Sequence, residues 1–181
     1  MTAVPGRPGI VRACAAAVLA AVALAMGGCV LTMPQSFLKQ RNVDQGVIPV
    51  LNGRWQDQEG AQLTVTPVKG SNNTFTVVSG KKEGSLQVTV ERLDSEHFIL
   101  QVAPSDGKGV FLTIAEISDR RVTIYTYPDT LADLKKAGAA NGVTISENGL
   151  ITKYTSAQGI IAFFRGMSSL PGHKDFTLTK K

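Results

Sequence analysis

The stretch that decides the fold is residues 85–118, SLQVTVERLDSEHFILQVAPSDGKGVFLTIAEIS. Within it, apolar and polar residues alternate in three successive runs, at 86–90, 98–102 and 110–115. Alternation with a period of two is typical of strands that bury one face. Short turns rich in Asp, Ser and Gly separate the runs, which favours antiparallel hairpin partners. The third run also carries Phe111 and Ala115 on its second face, which indicates a central strand.

The same pattern extends outward in both directions, to runs at 63–66, 74–77 and 122–127. About seven such strands would form a meander with one buried and one wetter face, and such a sheet must curl or close to protect its edges. After Tyr127 the period changes to that of helices. One helix carries Leu131 and Leu134 on its inner face, with Gly138 as its stop.

Strands are predicted at 143–145 and 150–154, and Ser156 can cap a second helix. In that helix Ile160, Phe164 and Met167 share one face at helical spacing. A final strand carries Phe176 and Leu178. We therefore predict a mainly β (α+β) fold. In it an antiparallel meander of about eight to ten strands closes into a barrel or a sandwich, with two short helices in the C-terminal third.

The N-terminus has the composition of an export signal. Residues 1–12 contain two arginines and no acidic residue, residues 13–26 are apolar without a break, and two glycines and Cys29 follow. This is the tripartite plan of a secretory signal. The apolar run is shorter than the ~20 residues that a bilayer-spanning helix needs.

The cut site, Met26-Gly27-Gly28-Cys29, resembles the lipobox of bacterial lipoproteins. The resemblance implies cleavage between Gly28 and Cys29 and acylation of the Cys29 thiol, whose chains would anchor the protein to membrane lipid. The alternative is an ordinary secretory signal with a chance cysteine. Val30 follows the cysteine where an Asp would favour the inner membrane, so the resemblance favours the outer membrane, facing the periplasm.

We divide the chain into a signal peptide (1–28), a lipidated N-terminus and tether (29–49) and a single β-rich domain (50–181). Four apolar residues of the tether could still pack on the domain: Phe37, Leu38, Val47 and Ile48. The chain has two cysteines, Cys14 and Cys29, and both precede the domain. A disulfide framework, thiol catalysis and cysteine zinc sites are therefore excluded inside the domain. The formal net charge is +5, and removal of the signal with Arg7 and Arg12 would leave about +3, a mild excess that does not point to nucleic acid.

Residues suited to catalysis are few. His97 and His173 are the two histidines, both beside turns, where surface histidines are common, and their spacing is not that of a zinc pair. The sequence has no Gly-x-Ser-x-Gly elbow and no glycine-rich phosphate loop. We therefore predict no catalytic residue, no metal, no cofactor and no enzymatic activity.

Paired basic residues recur at turns and ends, at 81–82, 120–121, 135–136 and 180–181. One interpretation is solvated tips that discourage edge pairing. The other is weak attraction to anionic lipid headgroups. Tyr125 and Tyr127 could line a contact surface or cover the sheet beneath a helix, and an exposed Phe163 would mark a partner surface.

The motif Asn52-Gly53-Arg54-Trp55 resembles the Gly-x-Trp opening of calycin-type barrels, in which the tryptophan plugs one end. The wider order of elements resembles a group of uncharacterised bacterial lipoproteins. The resemblance implies a barrel or sandwich with two helices and no particular activity. Trp55 is then either a core plug or part of an apolar ligand pocket.

Three functions stay open from the sequence. The first is a non-enzymatic envelope lipoprotein, a binding or assembly accessory with an envelope protein as partner. The alternative is a calycin-like carrier of a small apolar ligand. The barrel interior distinguishes the carrier from the other two functions, because a hollow interior favours a carrier and an interior filled by side chains excludes it. An enzyme with an unrecognised site ranks last.

Overall fold

A computed structural model describes residues 31–34, 36–39, 46–79, 85–104, 109–126, 131–168 and 173–181. The strands are β1 Leu31–Met33, β2 Gly53–Gln56, β3 Gln62–Pro67, β4 Thr74–Ser79, β5 Ser85–Arg92, β6 His97–Pro104, β7 Val110–Ser118, β8 Arg121–Thr126, β9 Val143–Ile145, β10 Ile151–Tyr154 and β11 His173–Lys180. The helices of the described chain are α1 Ile48–Leu51, α2 Leu131–Ala140 and α3 Ala157–Ser168.

Strands β2 to β8 and β11 form a closed antiparallel barrel of eight strands. Each strand from β2 to β8 pairs with the next in sequence, and β11 closes the ring between β8 and β2, where Lys180 lies opposite Trp55. Closure of the barrel pairs the backbone N–H and C=O groups that an open sheet would leave unpaired at its two edges. The predicted antiparallel meander is confirmed, and of the two predicted architectures it is the barrel that forms.

A first apolar core fills part of the barrel interior. Its buried members are Val47, Leu51, Trp55, Val65, Phe75, Val90, Phe98, Leu100, Ala115 and Val122. All but the first two come from alternate positions of the strands, because successive side chains of a strand point to opposite faces. Leu51 is the last residue of α1, and Val47 directly precedes this helix. The short helix closes one end of the barrel.

A second core lies on the outer face of β6 and β7. The segment between β8 and β11, which contains α2, β9, β10 and α3, folds back over the barrel and buries Leu134, Ile160 and Phe164 against Ile99 and Leu112. Strand β7 is therefore apolar on both faces because one faces the interior and the other faces the helices. The prediction that this strand is central is confirmed.

The helix ends match the sequence in one case and differ in another. Ser156 caps α3 as predicted, since its Oγ accepts a hydrogen bond from the Gly159 backbone N–H at 3.0 Å. Gly138 was predicted to end the helix that carries Leu131 and Leu134, but this helix, α2, continues to Ala140. A Cβ at Gly138 would lie 2.8 Å from the Val143 carbonyl oxygen, so this glycine serves close packing.

The N-terminal strap, defined as residues 31–39 and 46–51, overlaps the segment predicted as a tether, in which Phe37, Leu38 and Val47 were left free to pack on the domain and do so. Its β1 pairs with β7, and Phe37 and Leu38 are each 8 % exposed. Gln101 on β6 holds the middle of the strap, because its Oε1 accepts hydrogen bonds from the Phe37 and Leu38 N–H groups at 2.8 and 2.9 Å. Buried apolar residues thus reach back to Leu31. No periodicity indicates this, because the strap contacts a different surface every few residues.

Candidate functional site

The two ends of the barrel differ in how they are filled. The plugged end is the one covered by α1, where the β5–β6 and β7–β8 turns also lie. The mouth is the opposite end, where β4 and β6 end and β5 and β7 begin.

Trp55 forms the centre of the plug. It is fully buried, and its indole Nε1–H donates a hydrogen bond to the Leu51 carbonyl oxygen of α1 at 2.8 Å. The Lys180 ammonium lies 5.6 Å from the centre of the Trp55 ring system and donates to the carbonyl oxygens of Pro49 and Val50 at 3.0 and 2.7 Å. Lys180 therefore binds the end of α1, whereas the sequence placed it among solvated basic pairs.

Gly53 is required by this arrangement. Its φ is +137°, a backbone conformation that residues other than glycine rarely adopt. A Cβ at this position would also lie 3.2 Å from Cε of Lys180. The Gly-x-Trp motif is thus explained physically, since the glycine lets the lysine cross the strand and the tryptophan fills the space beneath.

The inward-facing apolar residues toward the mouth are only partly buried. We call them the cup: Leu63, Val77, Leu86, Val88, Val102, Phe111, Ile124 and Phe176. They face inward because they lie two residues from a buried interior side chain on the same strand, as Val88 does from Val90, or directly opposite a residue that does, as Phe111 lies opposite Val102.

On β4, β5 and β6, the inward side chains toward the plugged end are shielded from solvent, whereas Ile117 on β7 and Leu178 on β11 are partly exposed there. Phe75 is 1 % exposed, Val90 is fully buried and Phe98 is 3 % exposed. A solid core would bury the cup residues equally well, because protein interiors are packed as closely as organic crystals. Among the described residues, the inward side chains are thus buried around Phe75, Val90 and Phe98 and partly exposed toward the mouth.

Over the described residues of its wall the cup is uncharged and mostly apolar, with Ser79 facing inward opposite Leu63. The polar group of its β7 wall is the Thr113 hydroxyl, which faces inward opposite Leu100 and donates to the Tyr125 carbonyl oxygen at 3.1 Å. Thr32 of β1 lies opposite Phe111, so the strap contributes to the wall at the mouth. Such a wall suits an uncharged, apolar molecule, because a buried charge without a partner is strongly disfavoured.

His97 lies outside the cup, on the outer face near the plugged end. Its Nδ1 is 3.0 Å from both carboxylate oxygens of Asp94, which also accepts from the backbone N–H groups of Glu96 and His97 at 2.9 Å. Partial burial raises the Asp94 pKa, but these hydrogen bonds outweigh it and lower the pKa to about 2. This is the geometry of an ordered turn.

The remaining candidates also lie away from the cup. Burial and a hydrogen bond from the Tyr125 hydroxyl to Glu116 raise the pKa of Tyr125 to about 12. Phe163 is 1 % exposed, so it marks no partner surface. The side chain of His173 lies outside the described residues, as do Tyr127, Cys29 and Gly28.

Within the described ranges, no group of three or more His, Cys, Asp or Glu residues is placed to hold a metal ion. In that same part of the chain, no helix is both long enough and apolar enough to cross a bilayer. Comparisons of the chain with known protein families, curated proteins and solved structures give no significant match.

Proposed function

We propose that this chain is a non-enzymatic binding protein of the cell envelope, anchored by lipid on Cys29, that takes a small apolar molecule into the cup. The observation that carries the proposal is the partial exposure of inward-facing apolar residues at the mouth, beside a fully buried plug. Mouths of β-barrels are common sites for such ligands.

The driving force would be the removal of apolar surface from water. Burying apolar area contributes roughly 25 cal/mol per Å², or about 0.8 kcal/mol for each methylene group. This free energy would come from the apolar surface of the ligand as it enters the cup. The exposed parts of Val88, Val102 and Phe111, which the ligand would cover, would contribute as well. With no charged group on the described cup wall, binding would depend on size and apolarity, and weakly on salt.

The anchor rests on the resemblance of Met26-Gly27-Gly28-Cys29 to a lipobox. Two or three acyl chains bind a bilayer far more firmly than one. We expect the native protein to sediment with membranes and Cys29→Ser to lose acylation. Mass spectrometry of the membrane-bound form measures this, and an unmodified thiol at residue 29 would contradict the anchor.

The cup is tested by an uncharged fluorophore, N-phenyl-1-naphthylamine, with 1-decanol as competitor. The chain has one tryptophan, Trp55, on the cup floor, so energy transfer from Trp55 to the bound dye reports its proximity. We expect saturable binding that decanol reverses. Val77→Phe should weaken it at least about tenfold, a change of about 1.4 kcal/mol, because a phenyl ring would occupy the space of the ligand.

The matched control is Val78→Phe. Val78 is the neighbouring residue on the same strand, points to the outer face and is 38 % exposed. It should bind like the unaltered protein, and urea unfolding of both variants checks that they are folded. Equal loss in both variants, or no saturable binding by the unaltered protein, would overturn the cup as a ligand site.

A further inference from the structure

We infer that a cluster of cationic side chains on the outer face of the barrel binds the anionic headgroup surface of a phospholipid bilayer. We call this cluster the basic patch, and its members are Arg54 of β2, Arg120 and Arg121 at the β7–β8 turn, and Lys181 after β11. All four residues are exposed. The inference goes beyond the proposed function, because it depends on neither the cup nor the acylation of Cys29.

The end of β11 brings Lys181 beside Arg54, although more than a hundred residues separate them in the sequence. The Lys181 N–H donates a hydrogen bond to the Arg54 carbonyl oxygen at 3.0 Å. The register of the two strands, in which Lys180 lies opposite Trp55, places Lys181 directly opposite Arg54. Because Trp55 faces the interior, Arg54 faces outward, and its directly opposed neighbour shares that face.

The strand on the other side of β11 supplies two more cations. Arg121 lies opposite Thr179, which precedes Lys181 by two positions on β11. Diagonal neighbours of this kind are roughly 7–8 Å apart. The Arg120 carbonyl oxygen accepts a hydrogen bond from the Lys180 N–H at 2.9 Å, so Arg120 lies at the same level of the wall. Three neighbouring strands thus carry the basic patch across about 10 Å of the barrel wall.

The described part of the chain gives the basic patch no carboxylate partner, because no ion pair there joins any of its four side chains to an Asp or a Glu. Two acidic side chains lie on the neighbouring part of the wall. Asp119 is in the β7–β8 turn, and Glu116 of β7 accepts a hydrogen bond from the Tyr125 hydroxyl. Like charges directly opposite each other in a sheet repel, so an anionic partner would relieve the repulsion within the patch.

The other basic pairs noted in the sequence do not form such a patch within the described residues. Lys135 of α2 pairs with Glu147, and residues 81–82 lie outside the described ranges. Lys180 donates to the carbonyl oxygens of α1 and is therefore not counted in the patch. The attraction to headgroups considered from the sequence is therefore assigned to one place on the barrel.

The chemistry of the basic patch suits lipid phosphates. Three of its four cations are arginines, whose guanidinium groups offer two parallel N–H donors to phosphate oxygens. The side chains stand on an exposed sheet face, which suits many separate headgroups that diffuse laterally to match them. An extended polyanion such as nucleic acid would reach beyond the patch and meet the carboxylates of Glu116 and Asp119. Each basic residue close to an anionic bilayer strengthens binding roughly fivefold.

The test measures sedimentation with vesicles that contain phosphatidylglycerol and with vesicles of phosphatidylcholine alone. All proteins are the full chain with Cys29→Ser, so that no acyl group attaches there, and the neutral vesicles measure what the shared N-terminus contributes. The patch variant is Arg54→Gln with Arg121→Gln. The matched control is Lys136→Gln with Lys153→Gln, which removes the same charge from exposed lysines of α2 and β10, on the segment that packs over β6 and β7.

At low salt, we expect the protein with an intact patch to bind the anionic vesicles and the patch variant to bind them about 25-fold more weakly. The control should stay within about threefold of the intact patch, because its charges lie more than a screening length from the bound surface. Arg54→Lys with Arg121→Lys keeps the charge and should retain binding. About 0.5 M NaCl should abolish the excess over neutral vesicles.

Equal losses in the patch variant and the control would reduce the effect to net charge and overturn the basic patch, as would equal binding to anionic and neutral vesicles. Displacement by inorganic phosphate at constant ionic strength would indicate a site for a single phosphate, and tighter binding to a DNA duplex would indicate a nucleic-acid interface. Either result would also overturn the inference. Far-ultraviolet circular dichroism checks that the variants are folded. The dye-binding test of the cup uses no lipid, so the two proposals fail separately.

Discussion

Replacing Gln101 by Ala should detach the middle of the strap. Gln101 is 2 % exposed, and its Oε1 accepts from the Phe37 and Leu38 N–H groups while its Nε2–H donates to the Leu38 carbonyl oxygen at 3.2 Å. Truncation leaves three polar backbone groups without these partners. Each buried, unsatisfied group costs about 1–3 kcal/mol.

The loss has an upper limit, because the strap can leave the barrel locally. Releasing Phe37 and Leu38 would forfeit about 1.5–3 kcal/mol of apolar burial for each side chain. Both routes give a similar total, so we expect Gln101→Ala to lower the free energy of unfolding by about 3 kcal/mol.

Urea unfolding followed by Trp55 fluorescence and far-ultraviolet circular dichroism measures this change, provided that the two signals coincide. The matched control is Gln87→Ala, which removes an exposed glutamine from the outer face of the adjacent strand β5. The control should change stability by no more than about 0.5 kcal/mol. A loss below about 1 kcal/mol in Gln101→Ala would refute the view that this side chain holds the strap.

Two further substitutions test the plug and the outer turn. Gly53→Ala should lower the free energy of unfolding in urea by about 1–3 kcal/mol. Alanine rarely adopts the positive φ at this position, and its Cβ would lie close to the Lys180 side chain. Asp94→Asn should remove a pH dependence of stability. The folded pKa of Asp94, about 2, lies below the ordinary aspartate value of 3.8, so its ionised form stabilises the fold above about pH 4, and that contribution is lost as the pH falls to 2. Parallel unfolding curves for Asp94→Asn and the unaltered protein across this range would contradict the role given to the turn.

The sequence predicts the strands well because alternation is a local signal. Val88 and Val90 alternate with polar neighbours and lie on one face of β5 as predicted, and the two longer helices fall where Leu134 and Ile160 indicate. The closing pair is not local. Lys180 lies opposite Trp55 across more than a hundred residues, so periodicity alone leaves barrel and sandwich equally open.

The candidate site is less predictable because exposure depends on the whole barrel. Val88 and Val90 have the same side chain and the same face, yet Val90 is buried and Val88 lies in the cup. Only the position of the plug distinguishes them. The sequence leaves the packing of Phe37 open and does not place the strap for a related reason, since Leu31 and Phe37 gain their burial from β7 and β6, which are distant in sequence.

The three-residue contact between β1 and β7 also decides how the barrel would fail. Where β8 stops pairing at Ile114, the backbone groups of Val110 to Leu112 depend on β1 for partners. A chain shortened to begin after Met33 would leave a gap in the barrel wall. Unpaired backbone amides would be exposed there beside apolar side chains. Unpaired strand edges of this kind recruit other chains, so we expect such a shortened protein to self-associate at low concentration.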